Sequence, residues 1–427
     1  MSRVSLAVGV DLGTSGVRAA ACDEAGRPLA VERVALPKPV EREDRVEQDP
    51  RLWWHAVDQA LQALFARVDR NRVGAIAVDG TSGTVLGVDA AGAPLGPGRL
   101  YNDKAARSAA ALIGEAAPAA SAAHGATSGL AKAIEIAREA RPHRILHQAD
   151  WILGRLTGAF DVSDENNALK TGYDPVARAW PDWLGSVGLD RDLLPRVVEP
   201  GRAVGELRTD LARVWDLKPG ILVVAGTTDG CASFLATGAE EVGDAVTALG
   251  STLTLKILSA TPLFDPASGV YSHRLGERWL VGGASNTGGA VLASFFSAGA
   301  MAALEPRLDP DRDTGLAYYP LMRPGERFPV ADPARPPRVE PRPDDDALFL
   351  QGLLEGIARI EADGYRRLAE LGGPAPRRVL TVGGGARNDA WTRIRRRLVG
   401  PIVEQAATED AAVGAARLAR RALDGAA

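Results

Sequence analysis

The sequence predicts an α/β protein built from two mixed domains. Three observations carry that expectation. A chain of 427 residues is long enough for two domains, each burying its own core. Short apolar runs with strand character alternate with segments of helical periodicity along the whole chain. A strand, polar glycine turn, strand layout occurs at 4–22 and again at 244–258, once in each half. The division is expected near residue 220, giving domains 1–220 and 221–427.

Composition narrows the function classes. With 46% apolar and 24% charged residues, the chain has the balance of a soluble globular protein. A net charge of −4 gives no reason to expect a nucleic-acid partner. No apolar stretch reaches the roughly 18 residues of a membrane helix, so no membrane partner is expected. The first residues lack a signal-peptide layout. Cys22 and Cys231 lie among apolar or small residues and form no Cys-x-x-Cys pair. Buried thiols in a reducing cytoplasm are expected.

The elements follow in order. Val4–Val10 reads as a buried strand that stops at Asp11, where Gly13, Thr14, Ser15 and Gly16 make a polar turn. Val17–Cys22 and Leu29–Leu36 are strands, and Lys38–Gln48 is an exposed loop. Asp49-Pro50 opens a helix, with Asp as N-cap and Pro in the first turn. Val73–Val78 is a buried strand running into Asp79-Gly-Thr-Ser-Gly-Thr84, and Val85–Val88 is another strand. Ala105–Ala123, Ala131–Ala140 and His147–Leu156 are helices, and 160–205 is a loop-rich substrate-side insertion. Ile221–Ala225 is a strand leading into Gly226-Thr-Thr-Asp-Gly230, with a short helix at Cys231–Thr237. Asp244–Leu249 and Leu253–Leu258 are strands joined by Gly250-Ser251-Thr252. Trp279–Val281 is a strand, Gly282–Gly289 a glycine-rich turn, Ala290–Ala303 a helix and Leu308–Pro343 a loop. Ala347–Leu371 is a long helix, and Arg378–Val382 a strand running into Gly383-Gly-Gly-Ala386. Ala390–Val399 is a helix with its basic residues, Arg393–Arg397, on a solvated face. Pro401–Val403 is a short strand and Asp410–Leu423 the last helix.

Three polar glycine turns, at 11–16, 250–252 and 383–388, can turn backbone N–H groups toward phosphate oxygens. A carboxylate is a poor phosphate ligand, so Asp11 beside such a turn suits Mg²⁺. The plain alternative for 4–22 is a β-hairpin with a polar turn. Asp229 stands at the end of a buried strand, where α/β ligand sites lie. It suits a general base for phosphoryl transfer, or equally an N-cap for the helix after it. The chain has no GxxxxGK[ST], no GxGxxG after the first strand, no protein-kinase motif and no HExxH or Cys/His metal cluster. The five histidines are scattered. Those outside the first helix read as surface or packing residues.

These residues resemble the FGGY family of carbohydrate kinases, nearly end to end. The likeness rests on Gly9-Val-Asp-Leu-Gly-Thr-Ser-Gly16 and on Glu47-Gln-Asp-Pro-Arg-Leu-Trp-Trp54. It also rests on Leu100-Tyr-Asn-Asp103, Thr227-Thr-Asp-Gly230, Leu249-Gly-Ser-Thr252 and Gly383-Gly-Gly-Ala386, six motifs in order. The resemblance implies two ribonuclease H-like domains of the actin/hexokinase superfold flanking an ATP cleft. It implies ATP-dependent phosphorylation of a sugar or polyol hydroxyl, with ATP and Mg²⁺ required. By that resemblance Asp229 is the general base, and Asp11 with Asp229 organises Mg²⁺ and reaches the sugar. Gly13, Thr14 and Ser15 face the γ-phosphate. Gly250, Ser251 and Thr252 contact phosphates from the second domain. Gly289, Gly384, Gly385 and Asn388 line the adenosine site.

The chain is shorter than most members of that family. Its loop Asp79–Thr84 is most similar to that of a small cyanobacterial and plant subgroup acting on D-ribulose. The resulting expectation is a ketopentose kinase, D-ribulose first and D-xylulose second, with Asp79 and Ser82 as sugar-hydroxyl contacts. The plain role of both is to cap a strand-end turn. A polyol kinase and a non-catalytic nucleotide-binding sensor on the same superfold are the alternatives. The protein is expected in the cytoplasm, as a monomer or homodimer.

Overall fold

The computed structural model describes residues 5–400 and 402–425. The chain forms two compact units. The first takes the described residues up to Ala236, then His273–Gly276 and those from Asp410 onward; the second takes Thr237–Ser272 and Glu277–Glu409.

The first unit is built on a six-stranded sheet in the order Ala203–Glu206, Leu222–Thr228, Val73–Gly80, Leu6–Leu12, Gly16–Cys22, Pro28–Ala35. Leu6–Leu12 is buried along its whole length, as expected of a central strand. Val4 lies outside the described residues. The strand does not stop at Asp11 but runs on to Leu12. Asp11 is paired on both sides, antiparallel to Arg18 and parallel to Asp79. In-register neighbours in a parallel pair share a face, so the two carboxyls come to one side of the sheet.

Helix Pro50–Phe65 forms as its cap signals, with Asp49 Oδ1 accepting from Arg51 N at 2.9 Å. Gln48 Oε1 accepts from the buried Trp53 indole N–H at 2.7 Å. The Glu47–Trp54 motif thus starts and anchors this helix. Lys38–Gln48 is a hairpin and not a loop. Val40–Arg42 pairs with Arg45–Gln48 across a turn at Glu43, which sits at φ 53°. Its charged residues are those of an edge ribbon, which hides the strand period. The helix expected at 105–123 is shorter, Arg107–Ala116. Residues 160–205 hold the strand Val162–Asp164, paired parallel with Arg196–Val198, and the helix Glu165–Leu169. His147 is buried and hydrogen bonded to Asp150, Ser163 and Thr171.

The chain divides at Ala236, later than residue 220. Leu222–Thr228 completes the first sheet by pairing with Val73–Gly80, and helix Asp229–Ala236 follows on the same unit. Helix Ala411–Gly425 returns to pack on both. Gly9 is why it can come so close. A Cβ there would stand 1.9 Å from Ala412 O and 2.3 Å from Ala416 N. On the helix itself, a Cβ at Gly414 would stand 1.8 Å from Ala232 O.

In the second unit the strands Arg278–Ser285, Leu253–Ser259, Asp244–Leu249, Arg378–Val382 and Ile402–Gln405 lie side by side in that order. The first three are antiparallel neighbours and the last two join in parallel, the same logic as in the first sheet. Pro401, expected to open the last strand, lies outside the described residues. The turn expected at Gly282–Gly289 begins later, because Gly282 and Gly283 are strand residues. Gly282 backs onto Leu255 O and Gly283 lies under the Phe328 ring. The helix expected over Ala290–Ala303 is two, Gly289–Phe295 and Ala298–Leu304. Phe296 is extended and Ser297 caps the second, its Oγ accepting from Ala300 N at 3.2 Å. The Arg393–Arg397 face is not uniformly solvated. Arg395 is fully buried, with both its Nε and its Nη2 donating to Glu361 at 2.6 Å. No single helix among the described residues is long and apolar enough to cross a membrane.

Two substitutions probe this packing. Gly9→Ala should destabilise the first unit by about 3 kcal/mol, because the new methyl has only backbone to displace; the melting temperature reads it. Asp244 is the second case. Burial raises its carboxyl, but Arg378, the Glu240 and Glu241 N–H groups and Arg377 outweigh that and hold it well below the usual range. A depressed carboxyl contributes its stability above the unfolded value of about 3.9 and loses it as pH falls below that. Asp244→Asn should therefore cost on the order of 2 kcal/mol at pH 7, and the difference in melting temperature should shrink at pH 3.5.

Candidate active site

In the first unit, three parallel strands end side by side. Asp11 is opposite Asp79, and Thr228, the residue before Asp229, is opposite Gly80. The expected carboxylates thus come together at one end of the sheet. Asp229 is the first residue of helix Asp229–Ala236, with Oδ1 accepting from Gly230 N at 2.7 Å. Asp410, which sequence reasoning did not single out, joins them. It opens the Ala411–Gly425 helix, its Oδ1 accepting from Ala412 N at 3.2 Å. Its charge is felt at both Asp11 and Asp79.

This crowding sets protonation. Burial raises the Asp11 carboxyl; the neighbouring Asp79 side chain and the charge of Arg18 oppose that, while Asp229 and Asp410 add to it. Arg18, on the adjoining strand, donates Nη1–H to Asp11 Oδ2 at 3.2 Å. Asp79 is fully buried. Burial first, then Asp11, Asp229 and Asp410, push it well above the usual carboxylate range. Of the two, Asp79 is the one whose proton affinity is raised furthest.

Beyond Asp79 the chain turns through Thr81, Ser82 and Gly83. Gln148 Oε1 accepts from Thr81 N at 3.1 Å and from Thr81 Oγ1 at 2.8 Å. Thr81 and Thr84 hydroxyls meet at 2.6 Å. Several buried polar atoms here lack a well-formed hydrogen bond: both Asp79 oxygens, for all their closeness to Asp11, with Ser82 Oγ and Gln148 Nε2. Unpaired buried polar groups are costly, and these lie together at the strand ends. Gln148 carried no sequence signal, because it reaches Thr81 from a helix 67 positions away.

The turn Gly13–Ser15 links the first two strands, with Gly13 N donating to Gly16 O at 3.0 Å and Ser15 exposed. In the second unit, Gly250–Thr252 is an exposed turn joined to the 287–290 segment. Gly289 N donates to Gly250 O at 2.8 Å and Ala290 N to Ser251 O at 3.1 Å. Gly383, at φ 85°, passes so close to Leu249 that a Cβ would stand 2.7 Å from its carbonyl oxygen. Gly250, Ser251, Thr252, Gly289, Gly384 and Gly385 are thus on adjoining segments. The Asn388 side chain serves the fold, since its Oδ1 accepts from Trp391 N at 2.6 Å and caps helix Asp389–Val399.

Each unit carries a mixed sheet with a glycine turn after its leading strand, the architecture of the actin/hexokinase-like sugar kinases. The model of the FGGY family of carbohydrate kinases, N-terminal domain, matches residues 6–125 and 131–236, and that of the C-terminal domain matches 245–423. A xylulose kinase from Escherichia coli (strain K12) is 28% identical, over 97% of this chain and 89% of its own. A xylulose kinase from Streptomyces coelicolor is 30% identical, over 98% of this chain and 88% of its own. The crystal structure of a kinase from Brucella ovis, described as a xyloylose kinase, superimposes with a TM-score of 0.88 at 28% identity, covering 99% of this chain and 91% of that one. The chain belongs to the FGGY family of carbohydrate kinases and is an ATP-dependent phosphotransferase.

The raised Asp79 carboxyl has a consequence for stability. It lets the folded state hold a proton the unfolded chain has lost, so stability falls as pH rises above about 3.9. Asp79→Asn removes that dependence. Its melting temperature should equal or exceed the parent's at pH 8 and lose the advantage toward pH 5. An unchanged pH slope would show that Asp79 is ionised.

Proposed function

We propose that this protein transfers the γ-phosphoryl group of MgATP to the terminal hydroxyl of a ketopentose, with D-ribulose as the preferred acceptor. The observation that carries the reading is the set of unpaired buried polar atoms on Asp79, Ser82 and Gln148, at the strand ends beside Asp229. A polyhydroxylated ligand supplies donors and acceptors at the spacing such groups need. The loop Asp79–Thr84, similar to that of D-ribulose kinases, favours D-ribulose. The xylulose kinase relatives favour a pentose and make D-xylulose the second reading.

Asp229 takes the proton from the attacking sugar hydroxyl as its oxygen bonds to the γ-phosphorus and the bond to the ADP oxygen breaks. Asp79, in its protonated form, donates to a neighbouring oxygen, and Ser82 and Gln148 orient the sugar. Gly13–Ser15 offer N–H and hydroxyl groups to phosphate oxygens from the first unit. In the second unit, Gly250–Thr252 do the same, and Gly289, Gly384 and Gly385 leave room for the adenosine. Asn388 takes part there through the helix it caps.

The donor set fits Mg²⁺. Among the described residues no group of three or more His, Cys, Asp or Glu forms a metal cage. A hard cation bound by one or two carboxylates, water and substrate phosphates needs none. Asp11 and Asp229 would hold it, and its charge would offset that of the phosphates. We place the protein in the cytoplasm, where its buried thiols Cys22 and Cys231 stay reduced.

ADP release with MgATP and D-ribulose, D-xylulose, L-ribulose, ribitol or glycerol, against a blank without sugar, tests the reading. The largest rise is expected with D-ribulose; a larger one with D-xylulose would reassign the substrate. Asp229→Asn should lower kcat by about 10²–10⁴ while ATP still binds in a calorimetric titration. Full turnover in that variant would overturn Asp229 as the base.

A further inference from the structure

Among the described residues of the first unit, Lys132 is the largest fully buried charge with no carboxylate hydrogen bonded to it. It sits on helix Gly129–Ala140, one turn in from the Ser128 cap. Its Nζ donates to Leu100 O at 2.8 Å. The same carbonyl accepts from Asp103 N at 3.0 Å, so both its lone pairs are in use. Burying an ammonium for a single backbone carbonyl is costly. That carbonyl must therefore matter.

Its position says why. Strand Gly98–Arg99 is antiparallel to Val85–Val88, with Arg99 opposite Val85. The residues after Arg99 therefore run back alongside those before Val85, namely Ser82, Gly83 and Thr84. Extending that register sets Leu100 level with Thr84 and leads the Leu100–Asp103 segment toward the Ser82–Gly83 loop. The start of the lysine's own helix touches the same loop, since a Cβ on Gly83 would stand 3.7 Å from Gly129 N. The far end of the segment is fixed by the buried Asp103, which accepts from Val46 N at 2.8 Å and Ala105 N at 3.2 Å. Between these two anchors Tyr101 and Asn102 are exposed at the tip.

We propose that Lys132 is a positioning residue for the sugar: by holding the Leu100 carbonyl it sets Tyr101 and Asn102 against Ser82 and governs acceptor affinity. This rests on the proposed ketopentose site. The charge environment agrees with the geometry. Burial brings the Lys132 ammonium down to about 7, against the pull of Asp103, with Lys170 and Arg99 adding to the fall. Glu135, on the same helix, is engaged by Arg99 Nη1 at 2.8 Å and Arg45 Nη2 at 3.2 Å. The strong, charge-assisted form of the bond to Leu100 is therefore lost as pH rises through neutrality.

The test is steady-state kinetics of Lys132→Met with the sugar that best stimulates the parent. Sugar KM should rise at least tenfold, while kcat and the KM for ATP stay within threefold. Parent sugar KM should also climb between pH 6 and pH 8, and that climb should be absent from the variant. An unchanged sugar KM, or equal losses in kcat and both KM values, would overturn the role of Lys132. Should Lys132→Met not fold, Asn102→Ala, on the exposed tip, carries the decision: a rise confined to sugar KM supports the role of the segment, and no rise rejects it. If no sugar stimulates the parent, the ketopentose reading falls and this inference with it. Stimulated parent turnover with an indifferent variant sinks the lysine alone.

Discussion

The first unit depends on one close approach, that of helix Ala411–Gly425 to the backbone of the first strand. Nothing larger than hydrogen fits at Gly9 against Ala412 and Ala416, or at Gly414 against Ala232. The helix is thereby wedged between the strand that carries Asp11 and the helix that begins with Asp229. Asp11 lies two residues beyond Gly9, and Asp410 immediately precedes the wedged helix. Side-chain-free packing thus fixes the ends from which the carboxyls project. Interiors are close-packed, so displacement at such a contact is transmitted and not absorbed.

Holding four acidic residues at one end of a sheet has an electrostatic cost. Burial is the main cause raising the proton affinity of Asp11 and Asp79, and the charges of Asp229 and Asp410 add to it. Arg18 counters this at Asp11 through a direct contact, but that guanidinium is half exposed. A site in this condition suits a ligand that brings positive charge, such as a hard cation, or one that brings hydrogen-bond donors, such as a polyol. Asp79 is suited to the second because a protonated carboxyl both donates and accepts, whereas a carboxylate only accepts.

Much of this was legible in the sequence, and what was not has a common physical origin. The leading strands, their glycine turns, the Asp49-Pro50 helix start and Asp229 at a strand end are all local patterns. The strand, turn, strand repeat in both halves anticipated the two mixed sheets. Contacts made far along the chain were not legible. Gln148 meets Thr81, Arg395 is neutralised by Glu361, and Asp410 joins Asp11 only after the chain has folded back. Lys132 carried no sequence signal of its burial. The charged hairpin at 40–48 hid its period behind edge-strand chemistry, and Phe296 broke a helix whose composition gave no warning. The division at Ala236 was missed because strand Leu222–Thr228 is local to the second half in sequence but pairs with the first.

The return of residues 411–425 to the first unit makes the second unit an insertion, opened after Ala236 and closed before Asp410. During synthesis the first unit is left with an unfilled groove along Gly9 while more than a third of the protein is still being made. The inserted unit, complete within one uninterrupted run apart from a four-residue excursion, can acquire its core first. A ribosome-bound chain halted near residue 409 thus carries a complete second unit tethered to a first unit still unsealed along Gly9. The strand ends that carry Asp11 and Asp79 gain their backing only when helix Ala411–Gly425 emerges.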